Sequence, residues 1–286
     1  MVLMSAPTYV ATREALKSLS PQDLTPVRFL SAAVILGAFL LLKRQRLRLT
    51  VRDLPRTLVV ALLGYAGCGL LMNLGQTTVP AGTASLLLNI SPIFAFFLGY
   101  LVLRERTSKR GYLGIVTALA GVIVITLGGS AAVGFNADAL YIVAAALVLS
   151  VFLIVQQPLL NRVHPVEVVF WGSAIGGLAS LPAAKFDTDP SSFTESTWLA
   201  LAVLTVMSTA LASSFWNLSL LRTSVAEGGA LLYVVPVFSL LLGWLLLGEA
   251  PNTASMLGGA AALAGVFMLS QTTPSVIQPE VKDPVP

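Results

Sequence analysis

The sequence predicts an all-α membrane protein of about ten transmembrane helices, arranged as two inverted five-helix repeats. Three observations predict it. Of 286 residues, 56% are hydrophobic and only 10% are charged, whereas soluble domains carry about 25% charged residues to cover their surface. The apolar residues, with a mean hydropathy of +0.86, fall into runs close to the ~20 residues that cross a bilayer as helix. Finally, the chain matches itself at an offset of 144 residues.

These features exclude a soluble enzyme, a nucleic-acid-binding domain and a secreted disulfide scaffold. The net charge of +4 does not point to nucleic acid, because the basic residues gather in two short loops. Cys68 is the only cysteine, so neither an intrachain disulfide nor a thiol-based metal site can form. The opening stretch 1–17 lacks the basic and apolar regions of a signal peptide.

Helices are the required spanning element, since a backbone in lipid must satisfy its own hydrogen bonds. The expected spans lie near 2–18, 24–42, 57–78, 82–103, 110–128, 137–158, 165–183, 195–220, 226–247 and 252–270. Breakers mark the connections: Pro21, Pro26, Pro80, Gly82, Pro165 and Pro251. The loop 184–194 has no apolar content for a domain. The tail 271–286 holds Pro274, Pro279, Pro284 and Pro286 and is expected to be a disordered cytoplasmic tail.

Lys and Arg orient the bundle. Lys43, Arg44, Arg46, Arg48, Arg52 and Arg56 follow the second span, and Arg104, Arg106, Lys109 and Arg110 follow the fourth. Arg162, Arg222 and Lys282 fall on the same side, while the other side receives Lys17 and Lys185. The positive-inside rule then puts both termini in the cytoplasm.

Residues 73–125 align without a gap onto 217–269, with eighteen identities in the 53 columns. Shared Leu and Ala follow from composition alone. The rarer pairs do not: Asn73/Asn217, Pro92/Pro236, Glu105/Glu249, Gly99/Gly243, Gly114/Gly258 and Gly121/Gly265. Five helices is an odd number, so the second copy enters the membrane from the opposite face. Inverted repeats of this kind build alternating access in many secondary transporters, although channels and scramblases also use them. The unit boundaries are 1–128, with a short or truncated first helix, and 129–270.

The chain resembles the drug/metabolite transporter superfamily, EamA type, from Ser18 to Leu269. The residues that carry the resemblance are Arg28-Phe29-Leu30, the stretch Gly82 to Glu105 with Pro92, and its counterpart Gly228 to Glu249 with Pro236. Gly114 to Gly121 and Gly258 to Gly265 close each unit. The resemblance implies export of amino acids, metabolites or drugs, and does not name a cargo. The family's first helix begins with a longer apolar run containing a Trp-Gly pair, whereas only Met1 to Lys17 stands here.

Polar side chains in a bilayer face the bundle interior or a wet cavity. Counting from the loops puts Tyr9, Tyr65, Asn89, Ser91, Ser208, Thr209, Ser213 and Tyr233 in the middle third of their helices. With Trp216 near the cytoplasmic mouth, they form the expected substrate cavity, for which a small zwitterion or amphipathic metabolite is a suitable guest. Interhelical hydrogen bonding is the competing role, worth about 0.6 kcal/mol per pair. Pro92 and Pro236 interrupt helices at matched positions and are expected to shape or gate spans four and nine. Asn73 and Asn217 are expected as matched latch or packing residues.

Four charged residues carry separate expectations. Arg28 is expected to snorkel outward, the alternative being attraction of anionic groups. Glu14 is expected at the outer interface, the alternative being that it carries a proton as the one carboxylate placed to do so, and Arg13 beside it need not pair with it. Glu105 and Glu249 end helices where their charge opposes the dipole, which calls for a partner the sequence does not identify. No HExxH, paired-Asp or Ser/His pattern is present, so neither metal nor cofactor is expected. The expected partners are a small-molecule substrate and the bilayer, with a second copy of the chain left open. The leading function is a metabolite transporter in the bacterial inner membrane. The alternatives are a drug or solute facilitator, a channel, and a non-transporting interaction protein.

Overall fold

The computed structural model describes residues 2–45, 47–95, 98, 109–127, 137–219 and 235–271. All regular structure among them is helical. In chain order, α1 comprises Val2–Ser5 and Pro7–Ala15, followed by α2 (Pro21–Leu42), α3 (Leu54–Gly75) and α4 (Ala81–Ala95). Next come α5 (Lys109–Leu127), α6 (Ala139–Leu160), α7 (Pro165–Ala183), α8 (Glu195–Ser219), α9 (Val235–Leu247) and α10 (Thr253–Ser270). Five of these, α2, α3, α6, α7 and α8, are long and apolar enough to cross a membrane, and α4, α9 and most of α10 are shorter apolar helices.

Local chemistry fixes the helix starts. Ser20 accepts the Asp23 N–H with Pro21 in the first turn, so α2 begins three residues before the expected span. His164 accepts the Val166 N–H ahead of Pro165, and Thr194 accepts the Thr197 N–H ahead of Glu195. In α4 the helix pauses at Asn89–Ile90 before resuming at Ser91. The cause is Pro92, which has no N–H to offer the turn before it.

Contacts between connections define two ends of the bundle. At one, Arg162 pairs with Asp53 at 3.6 Å, and the segment after α2 docks on the start of α7. Lys43, Arg44, Arg48 and Arg52 lie in this connection, so this is the basic end. At the other end, Ser18 meets Thr197 at 2.9 Å and Thr78 donates to Asp138 at 2.7 Å.

A buried carboxylate sits at each end. Asp23, 2% exposed, accepts the Lys185 and Phe186 N–H groups at 2.8 and 2.9 Å from the loop that follows α7. Glu167, 0% exposed, accepts the Arg48 and Leu49 N–H groups at 2.9 Å from the loop that follows α2. Each acid also lies in the first turn of its helix, where negative charge is favourable. Asp23 and Glu167 are 144 residues apart, as are Pro21 and Pro165.

Helices α2 and α7 run antiparallel in close contact: Gly177 lies against Leu30 and Gly37 against Phe170. Helices α5 and α10 approach more closely still. A Cβ on Gly121 would lie 2.4 Å from the Gly258 carbonyl oxygen, and a Cβ on Gly265 would lie 2.4 Å from that of Gly114. These contacts are mates under the 144-residue offset, and their order makes the two helices antiparallel. The small residues expected to pack here do so. Gly121→Leu is expected to force the pair apart and cost about 1–3 kcal/mol, the usual penalty of overpacking, measured as a fall in the thermal unfolding temperature of the detergent-solubilised protein.

Candidate functional site

The middle of the bundle departs from regular α-helix at two places. Ala61–Gly67 in α3 and Val203–Ala212 in α8 are π-helical. Offset by 144, they are equivalent positions. A π segment widens the helix and is frequent at functional sites. In α8 the hydroxyls of Thr209 and Ser213 reach back five residues to the Leu204 and Ser208 carbonyls at 2.8 and 3.2 Å.

Arg28 reaches into this region. Its Nε donates to Thr209 Oγ1 and its Nη2 to Ser208 Oγ, both at 2.9 Å. Thr8 Oγ1 donates to the same Ser208 oxygen at 2.7 Å. The guanidinium stacks over the Phe29 ring at 5.1 Å. The side chain therefore points inward, contrary to the expected snorkelling. The cause is the polar group that Thr8, Ser208 and Thr209 offer within reach, which lipid headgroups a helix turn or two away do not match.

Two contacts in this group have mates at the offset, and the mates are chemically different. Arg28–Thr209 corresponds to Gly172–Tyr65, where a Cβ on Gly172 would lie 2.3 Å from the Tyr65 ring. Thr8–Ser208 corresponds to Phe152–Gly64, where a Cβ on Gly64 would lie 2.2 Å from the Phe152 ring. One half of the site is thus polar and cationic. The other is aromatic, with Tyr65 packed edge-on against Phe29 and Phe152 at 5.4 and 6.0 Å.

A second network ties four helices together at the end opposite the basic loops. Arg13 pairs with Glu249 at 2.8 Å and donates to the Gln76 and Thr77 carbonyls at the end of α3. Glu249 also accepts the Ala81 N–H at 2.8 Å, at the start of α4. Gly248, at φ +67°, supplies the left-handed turn, and the Glu249 N–H returns to Gly243 O at 3.1 Å. The partner that Glu249 needs is therefore Arg13 together with the α4 N-terminus. Glu14 pairs instead with the exposed Lys17.

The sequence-predicted cavity residues divide accordingly. Tyr9, Tyr65, Ser208 and Ser213 lie in or beside the Arg28 group. Asn89 and Ser91 are half-buried on α4, where Asn89 bonds its own helix at Ser85 O and the Ser91 carbonyl accepts from Ser150. Trp216 is half-buried and no contact joins it to Arg28. Tyr233 and Glu105 lie outside the described residues, as does the tail 272–286. Pro236 is buried near the start of α9. Asn73 donates to Thr25 Oγ1 at 3.0 Å and Asn217 accepts from Gln156 at 2.9 Å, both interhelical packing bonds. Sequence reasoning placed Arg28 wrongly and missed Thr8, Asp23 and Glu167. The match of Pro21-x-Asp23 to Pro165-x-Glu167 at the same offset is the signal that finds the two acids.

The model of the EamA-like transporter family matches residues 1–127 and 137–271. The chain belongs to the EamA-like transporter family. It is an integral membrane protein of a transporter family. Across 78% of this chain and 75% of the relative, it is 34% identical to the probable terminal-alkyne amino-acid exporter of Streptantibioticus cattleyicolor. Across 93% of this chain and 87% of the relative, it is 29% identical to an uncharacterized transporter of Bacillus subtilis. A solved crystal structure shares the fold with a TM-score of 0.67 at 22% identity, covering 93% of this chain and 92% of that one.

The Arg13–Glu249 network is expected to hold its end of the bundle together. Arg13→Gln removes the ion pair, and a cysteine placed at Thr77 in a Cys68→Ala background is then expected to react several-fold faster with a membrane-impermeant thiol reagent. An unchanged labelling rate would show that other contacts hold this end.

Proposed function

We propose that this chain is a secondary transporter that moves amino acids or similar small metabolites across the membrane, in the export direction, by alternating access. The substrate site lies midway between two inverted five-helix units, 1–128 and 129–270. The observation that carries the reading is the pseudo-symmetry of contacts: α5 packs antiparallel on α10 through residues exchanged by the 144-residue offset, and the antiparallel pair α2 and α7 begins with the offset-matched acids Asp23 and Glu167. A two-fold relation of this kind lets one packing mode serve at either face, which is the structural basis of alternating access. The relative named as an amino-acid exporter supports the substrate class.

In this reading Tyr9, Tyr65, Asn89, Ser91, Ser208, Ser213, Trp216 and Tyr233 line the path, and Pro92 and Pro236 let α4 and α9 bend. The basic end faces the cytoplasm with both termini and the tail, and the Arg13–Glu249 network lies at the outer face. The membrane is the bacterial inner membrane. A substrate drives the switch only if it binds the two states differently. Glu14, neutralised by Lys17 at the surface, is poorly placed to carry a proton, which favours exchange or facilitated movement.

The test is flux in proteoliposomes. Preloaded unlabelled amino acid is expected to accelerate entry of the labelled one, since counterflow requires a carrier. Flux without counterflow would indicate a channel, and no flux across amino acids, metabolites and cationic drugs would sink the transport reading.

A further inference from the structure

Arg28 is a cation inside the bundle with no acidic partner among the described residues. Its two hydrogen bonds go to hydroxyls, and Nη1 has no acceptor among the described residues. Ser208 Oγ accepts from both Arg28 and Thr8, and its own hydrogen has no acceptor among the described residues. The donors of Arg28 and Ser208 thus lie side by side, 2.9 Å apart.

A charge within a membrane-spanning bundle normally finds a counter-charge, and a guanidinium pairs best with a planar carboxylate through two parallel bonds. We infer that Arg28, with the Ser208 hydroxyl, is the anchor for the carboxylate of a monoanionic or zwitterionic substrate. This inference rests on the transport reading above and names the chemistry that the site selects. The broken symmetry limits the class. The mate of Arg28 is Gly172, and the mates of Thr8, Ser208 and Thr209 are Phe152, Gly64 and Tyr65. The second half of the site therefore offers rings rather than a second cation. A dicarboxylate or a phosphate dianion would bring charge that nothing there neutralises among the described residues.

The experiment compares L-alanine, L-leucine and L-phenylalanine with their carboxamides, in flux and in thermal unfolding of the purified full chain. The wild-type protein is expected to favour the acids at least tenfold in kcat/KM, with succinate and inorganic phosphate failing to compete. Arg28→Gln is expected to raise KM for the acids about tenfold or more and to erase the preference over the amides. Arg28→Lys, which keeps the charge and loses the fork, and Ser208→Ala are expected to fall between. Unfolding temperatures of the variants separate lost recognition from lost fold. Flux that persists with amides equal to acids, or an acid preference unchanged in Arg28→Gln, overturns the carboxylate anchor and leaves transport standing. Stabilisation by acids alone, dependent on Arg28 and without any flux, upholds the anchor and sinks transport. Neither stabilisation nor flux sinks both.

Discussion

A carboxylate that accepts two backbone N–H groups from a neighbouring loop is a fixed clamp, because the amides cannot rotate away as side chains can. The α2–α7 pair has one such clamp at each end, Asp23 on the loop after α7 and Glu167 on the loop after α2. Burial at 2% and 0% exposure makes each bond costly to leave unmade. The rest of the bundle is arranged around this pair. Arg28 hangs from α2 and Gly172 from α7, so the register that the clamps fix sets what the centre of the molecule contains.

Symmetry supplies the scaffold, and its breaking supplies the chemistry. The paired glycines of α5 and α10 keep the two-fold relation intact, since any side chain there would meet backbone. At the centre the relation holds for position but not for residue type. A polar cluster on one side faces an aromatic cluster on the other, each fitted by a small residue opposite its bulk. The centre of the bundle therefore has a polar side and an aromatic side.

Much of the architecture was legible in the sequence. Composition and run length specified helices in a membrane, and the gapless match of 73–125 to 217–269 marked the glycine-lined contact of α5 with α10. The central site was less legible, for physical reasons. Arg28 stands eight residues into its helix, where distance alone allows it to reach the interface. Whether it does so depends on Ser208, 180 residues away, and on Thr8, which is itself 200 residues from Ser208, and no local pattern reports that. Glu249 looked misplaced at a helix end because its partner, Arg13, is 236 residues distant. The π segments carry no compositional mark at all, as they arise from how the chain is packed.

The widened turns of α3 and α8 have a mechanical consequence. They occupy places matched by the 144-residue offset, although Gly64 and Tyr65 stand in one where Ser208 and Thr209 stand in the other. A π segment leaves backbone carbonyls without their usual i+4 donors. In α8 the hydroxyls of Thr209 and Ser213 take up that slack, bonding the Leu204 and Ser208 carbonyls, so the same loosened geometry is laced by side chains in one helix and packed by rings in the other.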